Sequence, residues 1–493
     1  MSTENKEDAG SYVSPAIDLP TLDQLKTISK DLGFQLTDEE LLQHREHMKG
    51  AQKAYQRVSE LVEPTLEVKY PRTPGHPPHG DDNPNNAWAW RTDIQGAKEG
   101  KLFGRTIAIK DNIAVAGVPM SNGGKIFQGF VPEFDATVVT RVLDAGGRIT
   151  GKSQCEDLTY DGSSFHSTPP VTNPADPTRS SGGSSSGSGA LVANGQVDLA
   201  VGADTAGSIR VPASWCGIVG FKPTYGLVPC SGACFLEPTL DHIGPMTRTV
   251  DDCALLLEVL AGYDGFDSRS LTDQAVPEYS KLMELGIAGK KIGFLKEGFE
   301  GCKNDVVDVV KATADVLRNA GATVEELSLP MHKDGGSIGK GFYPNSITDH
   351  YRKAIKARPF DLPITVQAIA LWGEFTRRFS DGKFYGKAQN LSKTLTDEYN
   401  KALEKVDVLI MPTCQFKAPK LPEASFGINE LLREGQCMIT NTMAANITGH
   451  PSISVNAGYS EGLPVGAMIT GRHHEDATVL RVAKSLESGP RSS

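Results

Sequence analysis

Residues 180–189 read Ser-Ser-Gly-Gly-Ser-Ser-Ser-Gly-Ser-Gly, ten positions occupied by serine and glycine alone. A linker of this composition would continue into polar sequence. Here the run leads into Ala190-Leu191-Val192-Ala193-Asn194-Gly195, which predicts a small apolar helix ending at glycine. Val197 to Gly202 then predicts a buried strand, and a second glycine-serine turn follows, Asp204-Thr205-Ala206-Gly207-Ser208-Ile209-Arg210. Glycines let a backbone approach a reacting group closely and leave amides pointing inward. Two readings stand at this point, a catalytic or anion-binding loop and a flexible connection.

Outward from this stretch, strands and helices alternate. Leu102 to Ile109 predicts a strand ending at Lys110-Asp111-Asn112, Asp135 to Ala145 a helix with the apolar stripe Val138, Val139, Val142 and Leu143, and Arg148 to Lys152 a returning strand. The alternation recurs at Lys290 to Leu295, Asp305 to Asn319 and Ala322 to Leu327, and ends with Val406 to Met411 and Ser452 to Val455. This is the pattern of an α/β fold with largely parallel connections and one large main body. Ahead of it, residues 1–20 are expected to be disordered. Two helices follow, near Leu22 to Leu32 and from Asp38 to near Pro64, the second opened by the capping box Thr37-Asp38-Glu39-Glu40. Tyr70 to Trp90, rich in Pro, Gly, His and Asn, reads as an extended loop, and its His76 and His79 as exposed loop residues. The irregular segment Pro330 to Ser392, with Trp372, is expected to contribute to a substrate wall or to cover the core.

Composition bounds the function. The net charge of −10 argues against a nucleic-acid-binding surface and against an anionic membrane, and no run of 18 apolar residues is present to span a bilayer. The polar first ten residues are unlike a secretory signal, so a cytoplasmic location is expected. Eight dispersed cysteines are the pattern of reduced thiols; Cys230 and Cys234 have half a zinc-site spacing without a second pair, so no metal is expected.

Hydrolysis needs a nucleophile, a base and donors for an oxyanion. Ser208 sits in the second turn, where the amides of Thr205, Ala206, Gly207 and Ser208 could converge on a developing charge. No histidine lies in either turn; the nearest are His166 and His242. Lys110, at the end of a buried strand, is the alternative base, because a lysine removed from water has a lowered pKa. A solvated surface lysine is the competing reading of the same residue.

These residues carry a resemblance. Gly182 to Ser188, Gly202 to Ala213 and Cys216 to Gly226 resemble the signature of the amidase signature family, and Ala108-Ile109-Lys110-Asp111-Asn112 resembles its lysine motif. Asn446 to Pro451 and Gly462 to Gly466 also match, so the likeness runs from Leu102 to Lys484. The resemblance implies a large mixed β-sheet covered by helices on both faces, residues 69–493, preceded by a helical segment, residues 1–68. It implies a triad in which Ser208 is acylated, Ser184, preceded by a cis peptide, relays the proton, and Lys110 is the neutral base, with no cofactor. Departures are Ser186 at the fifth position of the first motif and Ala206 for the first of two glycines in the second. If position 206 required φ above zero, Ala would strain the turn. Asp204 and Arg210 are expected to lock it.

Within the family the N-terminal segment and the region from Gly462 to Arg472 are most similar to enantioselective amidases of aryl and alkyl amides, a group that includes urethane hydrolases. The expected substrate is a small-molecule amide or carbamate, the expected assembly a homodimer or larger homo-oligomer, and the expected pocket residues Tyr160, Gly183 and Ile469. The glutamine-hydrolysing subunit of a tRNA amidotransferase is the competing enzyme reading. A phosphate cradle is disfavoured because G-x-x-x-x-G-K-[ST] is absent. Lys152, Cys155 and Glu156 suggest a nitrilase-like set as a further alternative.

Overall fold

The computed structural model describes residues 17–61, 64–234, 236–270, 275–337, 353, 355–358, 361–379, 383–422 and 438–489. The expectations for residues 1–16 and for 338–352 of the irregular segment lie outside them. The chain divides into two compact units, one ending at Thr65 and one from Leu66 onward.

In the first unit, α1 (Leu22–Asp31) and α2 (Asp38–Glu60) are both opened by complete capping boxes, Thr21 with Gln24 and Thr37 with Glu40. Each box satisfies amides that have no partner inside the helix.

The second unit is built on one sheet of eleven strands among the described residues. In chain order these are β1 (Trp88–Gln95), β2 (Thr106–Lys110), β3 (Arg148–Ser153), β4 (Leu199–Asp204), β5 (Val219–Lys222), β6 (His242–Thr247), β7 (Lys291–Leu295), β8 (Thr323–Leu327), β9 (Val408–Pro412), β10 (Ser452–Ser460) and β11 (Leu463–Gly471). Their spatial order is β1-β3-β2-β4-β6-β5-β10-β11-β9-β7-β8. The expectation of largely parallel connections holds only toward the flanks, where β3, β2 and β4, and again β9, β7 and β8, run parallel. The centre, from β4 through β6, β5, β10 and β11 to β9, is antiparallel. Trp88–Gln95, the first three residues of which fell in the expected loop, is a strand antiparallel to β3.

Helices cover both faces. On one face α3 (Thr137–Asp144), α6 (Val250–Leu260), α7 (Asn304–Asn319) and α11 (Asp476–Glu487) pack on Ile107, Ile109, Leu199, Val201, Ile410 and Ile453. On the other, α4 (Ser186–Ala193) and α5 (Arg210–Cys216) pack on Ala108 and Ala200, while α9 (Lys383–Lys405) and α10 (Met443–Thr448) pack on Leu409 and Met468. α8 (Ile364–Phe379) keeps Trp372, Phe375 and Phe379 largely exposed. The alternation of strand side chains between faces decides which strand residues reach the second face, where the two glycine-serine segments lie.

Candidate active site

β2 is buried from Ile107 onward and ends at Lys110, which is 1% exposed. The strand delivers the amine to the mouth of the sheet beside the parallel strand β4, whose last residue is Asp204. Lys110 Nζ donates to Ser184 Oγ at 2.8 Å and to the carbonyl of Ala203 at 3.2 Å. Burial lowers its pKa to about 8, against the opposing pull of Cys155, Asp204, Asp241 and Glu156. At pH 7 about one such amine in ten is neutral, against about one in three thousand at an ordinary lysine pKa. Neutrality is what a base requires.

The serine-glycine run is buried from Ser180 to Gly189. Gly182 adopts φ +80°, and a side chain there would come within 2.8 Å of Pro212 Cα, so both conformation and space call for glycine. The Gly183–Ser184 peptide is cis, as the resemblance implies. Ser184 accepts from the amide of Glu156 through its carbonyl at 3.1 Å, and the Ser185 amide donates to the carbonyl of Ser208 at 3.1 Å, which ties the two glycine-serine segments together.

The second turn is organised by Asp204. Its Oδ1 accepts from the Gly207 amide at 2.8 Å and its Oδ2 from the Ile209 amide at 3.0 Å. Arg210 closes a two-pronged pair on the same carboxylate, Nε to Oδ2 at 3.0 Å and Nη2 to Oδ1 at 2.9 Å, with both side chains wholly buried. Burial alone would raise the Asp204 carboxyl; Arg210 and the Asn446 amide overcome it and hold the group well below the carboxylate range. Arg210 also donates to the Thr442 carbonyl at 2.9 Å, and Asn446 Nδ2 donates to Asp204 O at 3.0 Å and Oδ1 at 2.9 Å. The expected locking groups are therefore in place, joined by Thr442 and Asn446. Asn446 lay in a motif legible in the sequence, but its bond to Asp204 was not.

Two points of the expected oxyanion turn change. Positive φ falls on Gly207, at +138°, and not on Ala206, so alanine at 206 introduces no strain of that kind. The Gly207 amide is engaged by Asp204. The remaining amides of the turn are those of Thr205, Ala206 and Ser208.

Ser208 is half-buried and lines a cavity of about 340 Å³ with Thr205, Ala206, Tyr160, Trp372 and Ile439. Among the described lining residues none is Lys or Arg. The one acid is Asp161, whose carboxylate accepts from the Ser163 amide at 2.9 Å and lies 3.2 Å from His166 Nδ1. Tyr160 thus stands at the cavity, as does Trp372 of the segment expected to form a substrate wall. Gly183 is not among the lining residues; it is buried next to Ser184, against the backbone of Asp161 and Gly162. Ile469 does not reach it: the side chain is fully buried on the opposite face of β11, among the residues packed under α7 and α11, and its neighbour Met468 is the one that meets Arg210, Sδ to Nη1 at 3.4 Å. Neither residue lines the cavity: adjacent positions of the strand face opposite sides of the sheet and both are buried in its core.

The nitrilase-like set is not assembled. Lys152 is paired with Asp111 at 2.9 Å, and Cys155 is sealed, its thiol pushed up by burial. Cys230 and Cys234 are free thiols, and no cluster of metal-ligating side chains occurs among the described residues. Among those residues, no helix is long and apolar enough to cross a membrane.

Known proteins resemble this chain over most of its length. A family profile described as Amidase matches residues 81–480. An enantioselective amidase of Rhodococcus rhodochrous is 40% identical, over 94% of this chain and 95% of its own. A glutamyl-tRNA(Gln) amidotransferase subunit of Methanosarcina acetivorans is 37% identical, over 81% of this chain and 87% of its own. Among solved structures, a bacterial aryl acylamidase of the amidase signature enzymes superposes with a TM-score of 0.67 at 27% identity, over 79% of this chain and 83% of that one.

Proposed function

Because the chain belongs to the amidase family, an assignment that makes it an amide-hydrolysing enzyme, we propose that it cleaves small, uncharged carboxamides with aromatic or branched apolar acyl groups to acid and ammonia. Ser208 Oγ attacks the carbonyl carbon while its proton passes to Ser184, whose own proton passes to Lys110 Nζ. The resulting oxyanion is met by the free amides of the turn. As the C–N bond breaks, the proton returns from Lys110 through Ser184 to the departing nitrogen, which leaves as ammonia. Water repeats the sequence on the acyl-Ser208 ester and releases the acid.

The observation that carries this reading is the buried Lys110 amine, 2.8 Å from Ser184 Oγ and with a pKa of about 8. The absence of Lys and Arg from the described lining favours a neutral substrate over free glutamine, whose α-carboxylate would find no cationic partner there. The names of the enantioselective amidase and the aryl acylamidase support an amide substrate, and the second an aryl one.

The test is an ammonia-release screen over aliphatic, aryl and branched amides, ethyl carbamate and glutamine, run on the wild type and on Ser208→Ala. The wild type should prefer aryl or branched amides. The variant should lose about four orders of magnitude or more in kcat. Unchanged turnover in Ser208→Ala would exclude the mechanism, and preferential hydrolysis of glutamine or of ethyl carbamate would exclude the substrate class.

A further inference from the structure

β4 and β6 run antiparallel with Asp204 opposite His242, so the next residues on each side, Thr205 and Asp241, face each other just beyond the paired strands. Their side chains meet: Thr205 Oγ1 donates to Asp241 Oδ1. The other oxygen, Oδ2, accepts from the amides of Leu236 at 2.8 Å and Glu237 at 3.2 Å. Thr205 belongs to the turn that carries Ser208, while Leu236 lines the same cavity as Ser208. A single carboxylate, 8% exposed, therefore joins the nucleophile's turn to a wall of the pocket. It also shares a small crevice with Lys110, Ala203 and His242.

We infer that Asp241 is a positioning residue of the hydrolytic site, a strut that sets the nucleophile turn and the Leu236 wall at a fixed spacing and so links turnover to the size of the acyl group. The chemistry requires a carboxylate: three donors converge on it, one on Oδ1 and two on Oδ2, and all three are satisfied only by a group that accepts on both oxygens. An Asn in its place keeps one acceptor and presents an NH2 toward at least one donor. Either the Thr205 hydroxyl or the two loop amides then lose their partner. A displacement of the turn by a fraction of an ångström is enough to matter, since misplacement of about 1 Å costs on the order of 100-fold in rate.

The inference rests on Ser208 being the nucleophile, and the experiment separates the two. Steady-state kinetics on the full chain would compare Asp241→Asn, Thr205→Val, Thr205→Ser and the Asp241→Asn/Thr205→Val double variant, on a small aliphatic amide and on a bulky aryl amide. The strut predicts that Asp241→Asn and Thr205→Val each lower kcat by about 10- to 100-fold on both substrates. It predicts that KM rises for the bulky amide only, that Thr205→Ser, which keeps the hydroxyl, retains about tenfold more kcat than Thr205→Val, and that the double variant is no worse than the poorer single one. Losses that multiply in the double variant would overturn it, as would an Asp241→Asn enzyme with wild-type kcat and KM. If Asp241→Asn does not fold, the contrast of Thr205→Val with Thr205→Ser still decides, equal activities overturning the strut. An active Ser208→Ala enzyme would instead remove the hydrolytic reading itself.

Discussion

Lys110 Nζ stands 2.8 Å from Ser184 Oγ at the end of a buried strand, and burial brings the amine's pKa down to about 8. In the proposed mechanism the neutral form is the base, and its share grows as pH rises through that value. The expected outcome is a kcat/KM that climbs between about pH 6 and 9 and levels off above, with its midpoint near 8, on an amide that does not itself titrate. Lys110→Arg, which keeps a permanent charge, should be close to inactive at every pH. A flat pH-rate profile would contradict the assignment of the base.

Gly207 and Ala206 should respond oppositely to exchange. A methyl at 207 would sit 2.3 Å from Thr442 Oγ1 on a backbone at φ +138°, so Gly207→Ala is expected to lower kcat by two orders of magnitude or more. Ala206→Gly, at a position without positive φ, should stay within a few-fold of wild type. Paired kinetic measurements on one amide check both.

Asp204 and Arg210 are wholly buried and satisfy each other. Removing one partner strands the other, and Arg210→Ala is expected to cost about 3–5 kcal/mol in a urea titration. The folded-state pKa of Asp204 is depressed, so its contribution is present at neutral pH and fades as pH falls below the unfolded carboxyl value near 4. The wild type should accordingly lose stability on acidification, and the stability gap between it and Asp204→Asn should narrow.

The two faces of β11 and the wall of α8 give a third contrast. Ile469→Ala removes core volume and should cost about 2–5 kcal/mol with KM unchanged. Trp372→Ala, at an exposed side chain lining the cavity, should leave stability nearly untouched and raise KM for aryl amides several-fold. Thermal melts beside kinetics distinguish them.

Much of this was legible in the sequence, because the strands are apolar runs and the turns are spelled in glycine and serine. The strand ending at Lys110, the helix after Asp135 and the capping box at Thr37 all occur where their patterns put them. What stayed hidden depended on pairing between distant residues. β6 contains Gly244-Pro245, which reads as a turn, and becomes a strand only because β4 and β5 pair with it on either side. Tyr160 and Ile469 were both plausible pocket walls, yet only Tyr160 reaches the cavity, since in a strand buried on both faces apolar character does not say which way a side chain points. The Thr205 to Asp241 contact had no local signal at all.

The carboxylate of Asp204 is held by Asn446 from 242 positions further along the chain, and its partner Arg210 by the carbonyl of Thr442. A ribosome therefore extrudes Ser208, the proposed nucleophile, long before the residues that secure its turn exist. Under the proposed mechanism, hydrolytic competence arrives late in synthesis, after the carboxyl-terminal elements have closed a loop of more than two hundred residues, and a prematurely terminated nascent chain would carry Ser208 without the contacts that fix its turn.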